Sequence, residues 1–133
     1  VQGRTRVAGH PGATVLVVED DLAVQALTVR TLEMEGYAVF AAADGEAALD
    51  LVRKRPEIEA VITDVIMPQL NGRQLYDELT CLRPEVPVLF VSGHTANATI
   101  LQELLPPGAW YLQKPFTTME LSAAVSNLLK QRR

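Results

Sequence analysis

Five short apolar runs alternate with stretches of helical periodicity along the chain, and this alternation constrains the fold more than any other feature. Apolar runs of about 4 to 8 residues that are rich in β-branched side chains are typical of buried strands. Strands that each lead into a helix predict an α/β domain with a parallel sheet and right-handed crossovers. We predict a doubly wound, five-stranded (βα)5 sheet with strands at residues 14–18, 37–42, 60–64, 88–91 and 109–113.

Residues that favour helix termini mark the ends of several predicted helices. Asp44 is a candidate N-cap of the second helix, and either Thr117 or Thr118 is a candidate N-cap of the last one. Asp21 follows the first strand, where an N-cap role is favoured over a ligand role. Gly36 is the expected stop of the first helix.

Apolar residues at helical spacing predict which helix faces point inward. The third and fourth helices are expected over residues 72–83 and 95–105, and Cys81 on the third is expected to be a buried, inert thiol. The predicted inward residues are Val24, Leu27, Thr28, Thr31, Leu32, Ala48, Leu51, Val52, Leu75, Leu79, Leu82, Ile100, Leu101, Leu104, Leu105, Leu121, Val125, Leu128 and Leu129.

Length, composition and charge predict one globular domain. The chain has 133 residues, of which 48% are hydrophobic, and this is enough for a single core. Residues 1–13 are expected to be a linker or tail, and residues 14–133 the folded domain. The net charge of −4 argues against non-specific nucleic-acid binding, and no apolar run approaches the roughly 20 residues that cross a membrane. Because the sequence begins with Val1, we expect it to be a piece of a longer protein.

Polar side chains follow four of the five predicted strands. An acidic cluster at residues 19–21 follows the first strand, Asp64 ends the third, Ser92 follows the fourth and Lys114 follows the fifth. The carboxyl ends of parallel strands share one edge of the sheet, where ligands of open α/β sheets bind. We therefore expect these side chains to form one site.

The chemistry of this set points to a phosphoryl group and a metal ion. Two carboxylates about 4 Å apart repel by about 4 kcal/mol at an effective dielectric constant of about 20, so the acidic cluster favours a cation. All-oxygen ligands suit Mg²⁺. Lys114 and Ser92 could stabilise the oxygens of a phosphoryl group that is transferred to the Asp64 carboxylate.

Four motifs resemble the receiver domains of two-component response regulators, the CheY-like superfamily. They are VLVVEDD at 15–21, TDVIMPQLNG at 63–72, VLFVSG at 88–93 and YLQKPF at 111–116. The resemblance covers residues 14–130, and it implies the strand order 2-1-3-4-5 of flavodoxin-like and CheY-like sheets.

The resemblance implies a role for each acidic position. Asp64 matches the phosphate-accepting aspartate. Asp20 matches the direct Mg²⁺ ligand, Glu19 the acid that acts through water, and the carbonyl of Ile66 the third protein ligand.

The resemblance also implies a switch. Ser92 matches the switch hydroxyl, Lys114 the invariant lysine, and Tyr111 the aromatic residue that turns inward. The peptide bond between Lys114 and Pro115 is expected to be cis. The chain departs from the family pattern at Pro106-Pro107, which precedes the turn before the fifth strand.

The implied function is a cytoplasmic bacterial signalling switch that catalyses its own phosphorylation and dephosphorylation. Its expected partner is a histidine kinase or a histidine phosphotransfer protein, and phosphorylation could drive a dimer. The segment from Ser92 to Phe116 looks most like receivers of hybrid histidine kinases. The alternatives are an interaction module that needs no phosphorylation, a haloacid-dehalogenase-type phosphatase and a flavin protein. Ile66, where such phosphatases have a second Asp, argues against the phosphatase, and the acidic first loop argues against the flavin.

Overall fold

A five-stranded parallel sheet forms the centre of the molecule, in the order β2-β1-β3-β4-β5. The computed structural model describes residues 12–67, 69–93 and 98–130. The strands are β1 (Thr14–Val18), β2 (Ala38–Ala42), β3 (Ile58–Asp64), β4 (Val88–Ser92) and β5 (Trp110–Gln113). The predicted doubly wound fold and its strand order are confirmed.

One helix follows each strand, as the crossover connections of a parallel sheet require. The helices are α1 (Leu22–Met34), α2 (Gly45–Lys54), α3 (Gly72–Leu82), α4 (Ala98–Leu104) and α5 (Thr118–Leu129). Residues 95–97 of the predicted fourth helix lie outside the described residues. None of the helices in the described ranges is long and apolar enough to cross a lipid bilayer.

Side chains from the two faces of the sheet build two separate cores. On β1, Leu16 and Val18 point into one core, while Val15 and Val17 point into the other. All five residues of β1 and of β4 are buried, whereas the edge strands β2 and β5 each have two exposed residues. Burial on both faces explains why the central strands read as continuous apolar runs.

The predicted helix caps are confirmed. The Asp21 carboxylate accepts hydrogen bonds from the backbone of Ala23 and Val24, and Asp44 caps α2 in the same way. Thr117, not Thr118, caps α5 and forms a reciprocal capping box with Glu120. Gly36 follows the end of α1 and has a φ of +101°, a backbone conformation that residues with a side chain rarely adopt.

Three predicted inward positions are wrong. Leu27 is 66% exposed and Leu82 is 41% exposed, and Cys81 is an exposed free thiol. The buried residues of α1 are Thr28 and Leu32, and those of α3 are Gly72, Leu75 and Leu79. Helical spacing groups residues on one side of a helix, but packing against the sheet buries a narrower stripe of that side.

Candidate functional site

Three carboxylates meet at the carboxyl edge of the sheet. One carboxylate oxygen each from Glu19, Asp20 and Asp64 lies within 4.8 Å of the others. Glu19 is 3% exposed and Asp64 is 8% exposed, while Asp20 is open to solvent. The site therefore contains two buried acids and one accessible acid.

Lys114 supplies the positive charge of this cluster. Its Nζ donates to Glu19 Oε1 at 2.6 Å and to Asp64 Oδ2 at 3.2 Å. Glu19 comes from the end of β1, Asp64 from β3 and Lys114 from the loop after β5, so the fold brings together residues far apart in the chain. The sequence predicts that Glu19, Asp64 and Lys114 lie close together, and the structure places them in contact.

Burial and charge act in opposite directions on the ionisable groups. Burial raises the pKa of Glu19, and the Asp64 charge adds to this, although the hydrogen bond from Lys114 opposes both. Burial alone would lower the pKa of Lys114, but the hydrogen bond with Glu19 and the charges of both carboxylates outweigh it, so that the pKa is raised. One ammonium thus faces three carboxylates, which leaves the cluster with excess negative charge.

The loop after β3 holds Asp64 through close backbone contacts. The Ile66 amide donates to Asp64 Oδ1 at 3.3 Å, and the Gly72 amide donates to the Val65 carbonyl at 2.8 Å. A Cβ atom on Gly72 would lie 2.6 Å from the Asp64 carbonyl oxygen, well inside contact distance. Glycine is required here because α3 begins directly against the backbone of the aspartate.

Ser92 lies at the end of β4, beside the Asp64 strand. Asp64 is in register with Val91, so Ser92 is the next residue along the neighbouring strand. Ser92 is 1% exposed, and its hydroxyl has a weak hydrogen bond to the Gly93 carbonyl at 3.4 Å. The Lys114 amide donates to the Ser92 carbonyl at 2.7 Å, which ties the ends of β4 and β5 together.

Tyr111 lies on β5 with its hydroxyl directed into the protein. The hydroxyl oxygen is buried and has no hydrogen-bond partner among the described residues. The ring packs against the core that contains Phe90, its register partner on β4. The peptide bond between Lys114 and Pro115 is cis, as predicted.

The donor set fits a small, hard divalent cation. Every candidate ligand is an oxygen, and the accessible Asp20 carboxylate leaves room for the waters that Mg²⁺ retains. The predicted third protein ligand is the carbonyl of Ile66, two residues after Asp64. Ile66 is 46% exposed. Glu19, Asp20 and Asp64 are therefore the residues that could hold such an ion.

The sequence-based interpretation missed two residues that shape the site. The sequence predicts Gly72 only as a helix start, although its contact with the Asp64 backbone explains why glycine occurs there. Gln25 lies outside the four motifs, although its side chain donates a hydrogen bond to the Glu19 carbonyl. Its position four residues after Asp21, one helical turn from the acidic cluster, was the available signal.

Comparison with known proteins identifies the family. Residues 15–126 match the family described as response regulator receiver domain. The chain is 37% identical over 134 residues to the sensor kinase CckA of Brucella abortus (strain 2308), a match that covers 98% of this chain and 14% of the kinase. It is 36% identical over 118 residues to the response regulator MprA of Mycolicibacterium vanbaalenii, covering 88% of this chain and 50% of that protein. The chain therefore spans half the length or less of these relatives.

The structure is also similar to a solved receiver domain of a hybrid kinase. The receiver domain of hybrid histidine kinase CckA superposes with a TM-score of 0.73 at 32% identity, covering 87% of this chain and 98% of that domain. Its fold agrees with the parallel sheet and the strand order described above. The chain belongs to the response regulator receiver domain family of two-component signalling systems.

Proposed function

We propose that this receiver domain accepts a phosphoryl group on Asp64 from a phosphohistidine in a partner protein. The observation that carries the proposal is the contact of Lys114 with both Glu19 and Asp64 beside an accessible third carboxylate. In the transfer, an Asp64 carboxylate oxygen forms a bond to phosphorus while the bond between phosphorus and the histidine nitrogen breaks. The nitrogen keeps the electron pair of that bond, so the charges balance without a further reactant.

The residues around Asp64 have separate tasks in this transfer. Lys114 is placed to offset the negative charge of the incoming phosphoryl oxygens, and the Ser92 hydroxyl can donate a hydrogen bond to one of them. Glu19, Asp20 and Asp64 would hold Mg²⁺, with the Ile66 carbonyl as a further ligand. When bound, Mg²⁺ would neutralise phosphoryl charge that the single ammonium cannot.

The arrangement around Tyr111 supports a switch that follows phosphorylation. The buried Tyr111 hydroxyl has no hydrogen-bond partner among the described residues, which costs free energy, so within that part of the chain it is packing of the ring that favours the inward orientation. A phosphoryl group brings about −1.5 to −2 charges, which would draw Ser92 and Lys114 toward Asp64. Movement of Ser92, on the strand beside Tyr111, would change the balance between two orientations of the ring and hence the adjacent surface.

The surface next to Lys114 suits a protein phosphodonor. A groove of about 430 Å³ between α1 and the loop after β5 is lined mainly by apolar side chains, including Val24, Leu27 and Phe116, and it reaches Lys114. Leu27, which lines the groove, is 66% exposed. Since the groove is continuous with the site, we propose that it receives a helix of the histidine-bearing partner.

The wider context follows from the relatives. Similarity to the CckA receiver supports a place within a hybrid histidine kinase in the bacterial cytoplasm. A dimer that forms on phosphorylation is a further proposal. The other candidate function is an interaction module that needs no phosphoryl group, and the first experiment separates the two.

The decisive experiment is intact-mass measurement after incubation with acetyl phosphate. We expect the mass of one phosphoryl group on the wild type with Mg²⁺, a strongly reduced amount with EDTA, and none on Asp64→Asn. Asp77→Asn is the matched control, because Asp77 lies on the exposed face of α3. Absence of an adduct on the wild type would favour the phosphorylation-independent module.

A second experiment tests the docking groove. Leu27→Asp places a charge on the groove, so we expect about 10-fold slower phosphorylation by histidine-phosphorylated CckA of Brucella abortus. Phosphorylation by acetyl phosphate should not change, because this small donor needs no groove. Leu82→Asp, an exposed leucine on α3 outside the groove, is the control. Equal slowing with both donors would contradict a docking role for Leu27.

A further inference from the structure

The side chain of Gln25 lies between two backbone carbonyls at the carboxyl ends of β1 and β2. Its Nε2 donates to the Glu19 carbonyl at 3.1 Å and to the Ala42 carbonyl at 3.1 Å. The orientation of the amide follows from these contacts, because a flipped amide would set its oxygen against two carbonyl oxygens. Both hydrogens of the amide nitrogen are therefore engaged at the edge of the site.

One of these carbonyls belongs to the peptide that joins Glu19 to Asp20. The peptide group is planar, so a hydrogen bond that holds the Glu19 carbonyl also sets the direction in which the chain continues to Asp20. The Glu19 amide donates to the Ala42 carbonyl at 3.0 Å. The backbone of Glu19 is thus held on both sides, once by β2 and once by Gln25.

Gln25 is also fixed to the loop that follows the acidic pair. Its backbone amide donates to the Asp21 carbonyl at 2.8 Å, in the first turn of α1. The Asp21 amide in turn donates to the Glu19 carboxylate at 3.2 Å. Gln25 therefore connects α1 to the backbone of Glu19 and, through Asp21, to the Glu19 carboxylate.

We infer that Gln25 is a positioning residue that sets the relative placement of Glu19 and Asp20 for a divalent cation. The inference rests on the proposed Mg²⁺ site. Gln25 acts through the Glu19–Asp20 peptide, while the transferred group is bound by Asp64, Lys114 and Ser92. Loss of its amide should weaken Mg²⁺ binding by about 10-fold, as loss of groups that orient metal ligands commonly does.

The test measures Mg²⁺ binding to the phosphate-free protein by titration calorimetry. Gln25→Met keeps the length of the side chain and removes both donors, and Gln25→Asn keeps the amide but shortens its reach. Gln102→Met, on an exposed glutamine of α4, is the matched control. Thermal unfolding of each variant is recorded first, so that binding is compared only between folded proteins.

A second readout separates positioning from general damage. The rate of phosphorylation by acetyl phosphate is measured across Mg²⁺ concentrations for the same variants. We expect both Gln25 variants to need more Mg²⁺ for half-maximal rate while the rate at saturating Mg²⁺ stays within about two-fold of the wild type. Folded Gln25 variants that bind Mg²⁺ as tightly as the wild type would overturn the inference alone. A wild type that binds no Mg²⁺ would overturn the proposed metal site as well.

Discussion

Strand β3 has a cluster of charged groups near each end, and the two clusters are built differently. At its carboxyl end, the ammonium of Lys114 faces Asp64 and Glu19, with Asp20 close by. At its amino end, the guanidinium of Arg83 donates to the carbonyls of Arg55, Pro56 and Ile58 and to the carboxylate of Glu85.

The two clusters differ in the balance between the positive charge and the carboxylates around it. Arg83 donates to three backbone carbonyls, and the Glu85 carboxylate balances its charge. Lys114 faces more negative charge than it can neutralise, and two of those carboxylates are buried. The hydrogen bonds of Arg83 tie together the loops around the start of β3. At the other end, the excess negative charge is the feature on which the proposed Mg²⁺ site rests.

Lys114→Met should give the largest effect and should act on phosphorylation. Removal of the ammonium takes away a positive charge beside Asp64, so the rate of phosphorylation by acetyl phosphate should fall by about 100-fold or more. Mass spectrometry over time measures this rate. The control is Lys54→Met, an exposed lysine that pairs with Asp50 on α2. An unchanged rate in Lys114→Met would break the distinction between the two clusters.

Arg83→Met should give a smaller effect, and it should act on stability. The variant loses hydrogen bonds to three carbonyls around the start of β3, so the free energy of unfolding should fall by about 2 kcal/mol. Urea denaturation measures this change. Arg73→Met removes a surface pair with Asp77 and should cost less than about 0.5 kcal/mol. The folded Arg83 variant should still be phosphorylated at the wild-type rate, and a slow rate would mean that the two ends of β3 are coupled.

The pH dependence of stability should give the smallest effect, with opposite signs at the two ends. The hydrogen bond from Arg83 lowers the pKa of Glu85 below 4.5, so its contribution is present above pH 4.5 and is lost as the pH falls through the folded pKa. Burial raises the pKa of Glu19 above 4.5, so its contribution is present below pH 4.5 and is lost as the pH rises through the folded pKa.

Matched variants isolate the two contributions. Glu85→Gln should reduce the loss of stability at acid pH, and Glu19→Gln should reduce the loss as the pH rises above 4.5. Urea midpoints measured in Mg²⁺-free buffer from about pH 3 to pH 7 test both expectations. If both substitutions changed the pH dependence of the urea midpoint in the same direction, the two carboxylates would not have opposite pKa shifts.

Prediction from sequence succeeded where a local pattern carries the information. N-caps depend on residues within one helical turn, so the sequence alone locates Asp21 and Asp44 and leaves only Thr117 and Thr118 as candidates for the last cap. It failed for Leu27 and Leu82, because helical spacing does not say how wide a stripe the sheet will cover. The roles of individual site residues came from the family resemblance, and those roles stay predictions until phosphorylation is measured.

Short-range periodicity and composition encode the order of strands and helices and the placement of polar residues after the strands, so these features could be predicted from the sequence. Tertiary structure decided which polar groups meet. Lys114 pairs with Glu19 across 95 positions of the chain, and the Gln25 amide reaches Ala42 across 17. Such contacts depend on how strands pair and how α1 docks on the sheet. Their energies come from burial and distance in the folded molecule, which no local stretch of sequence contains.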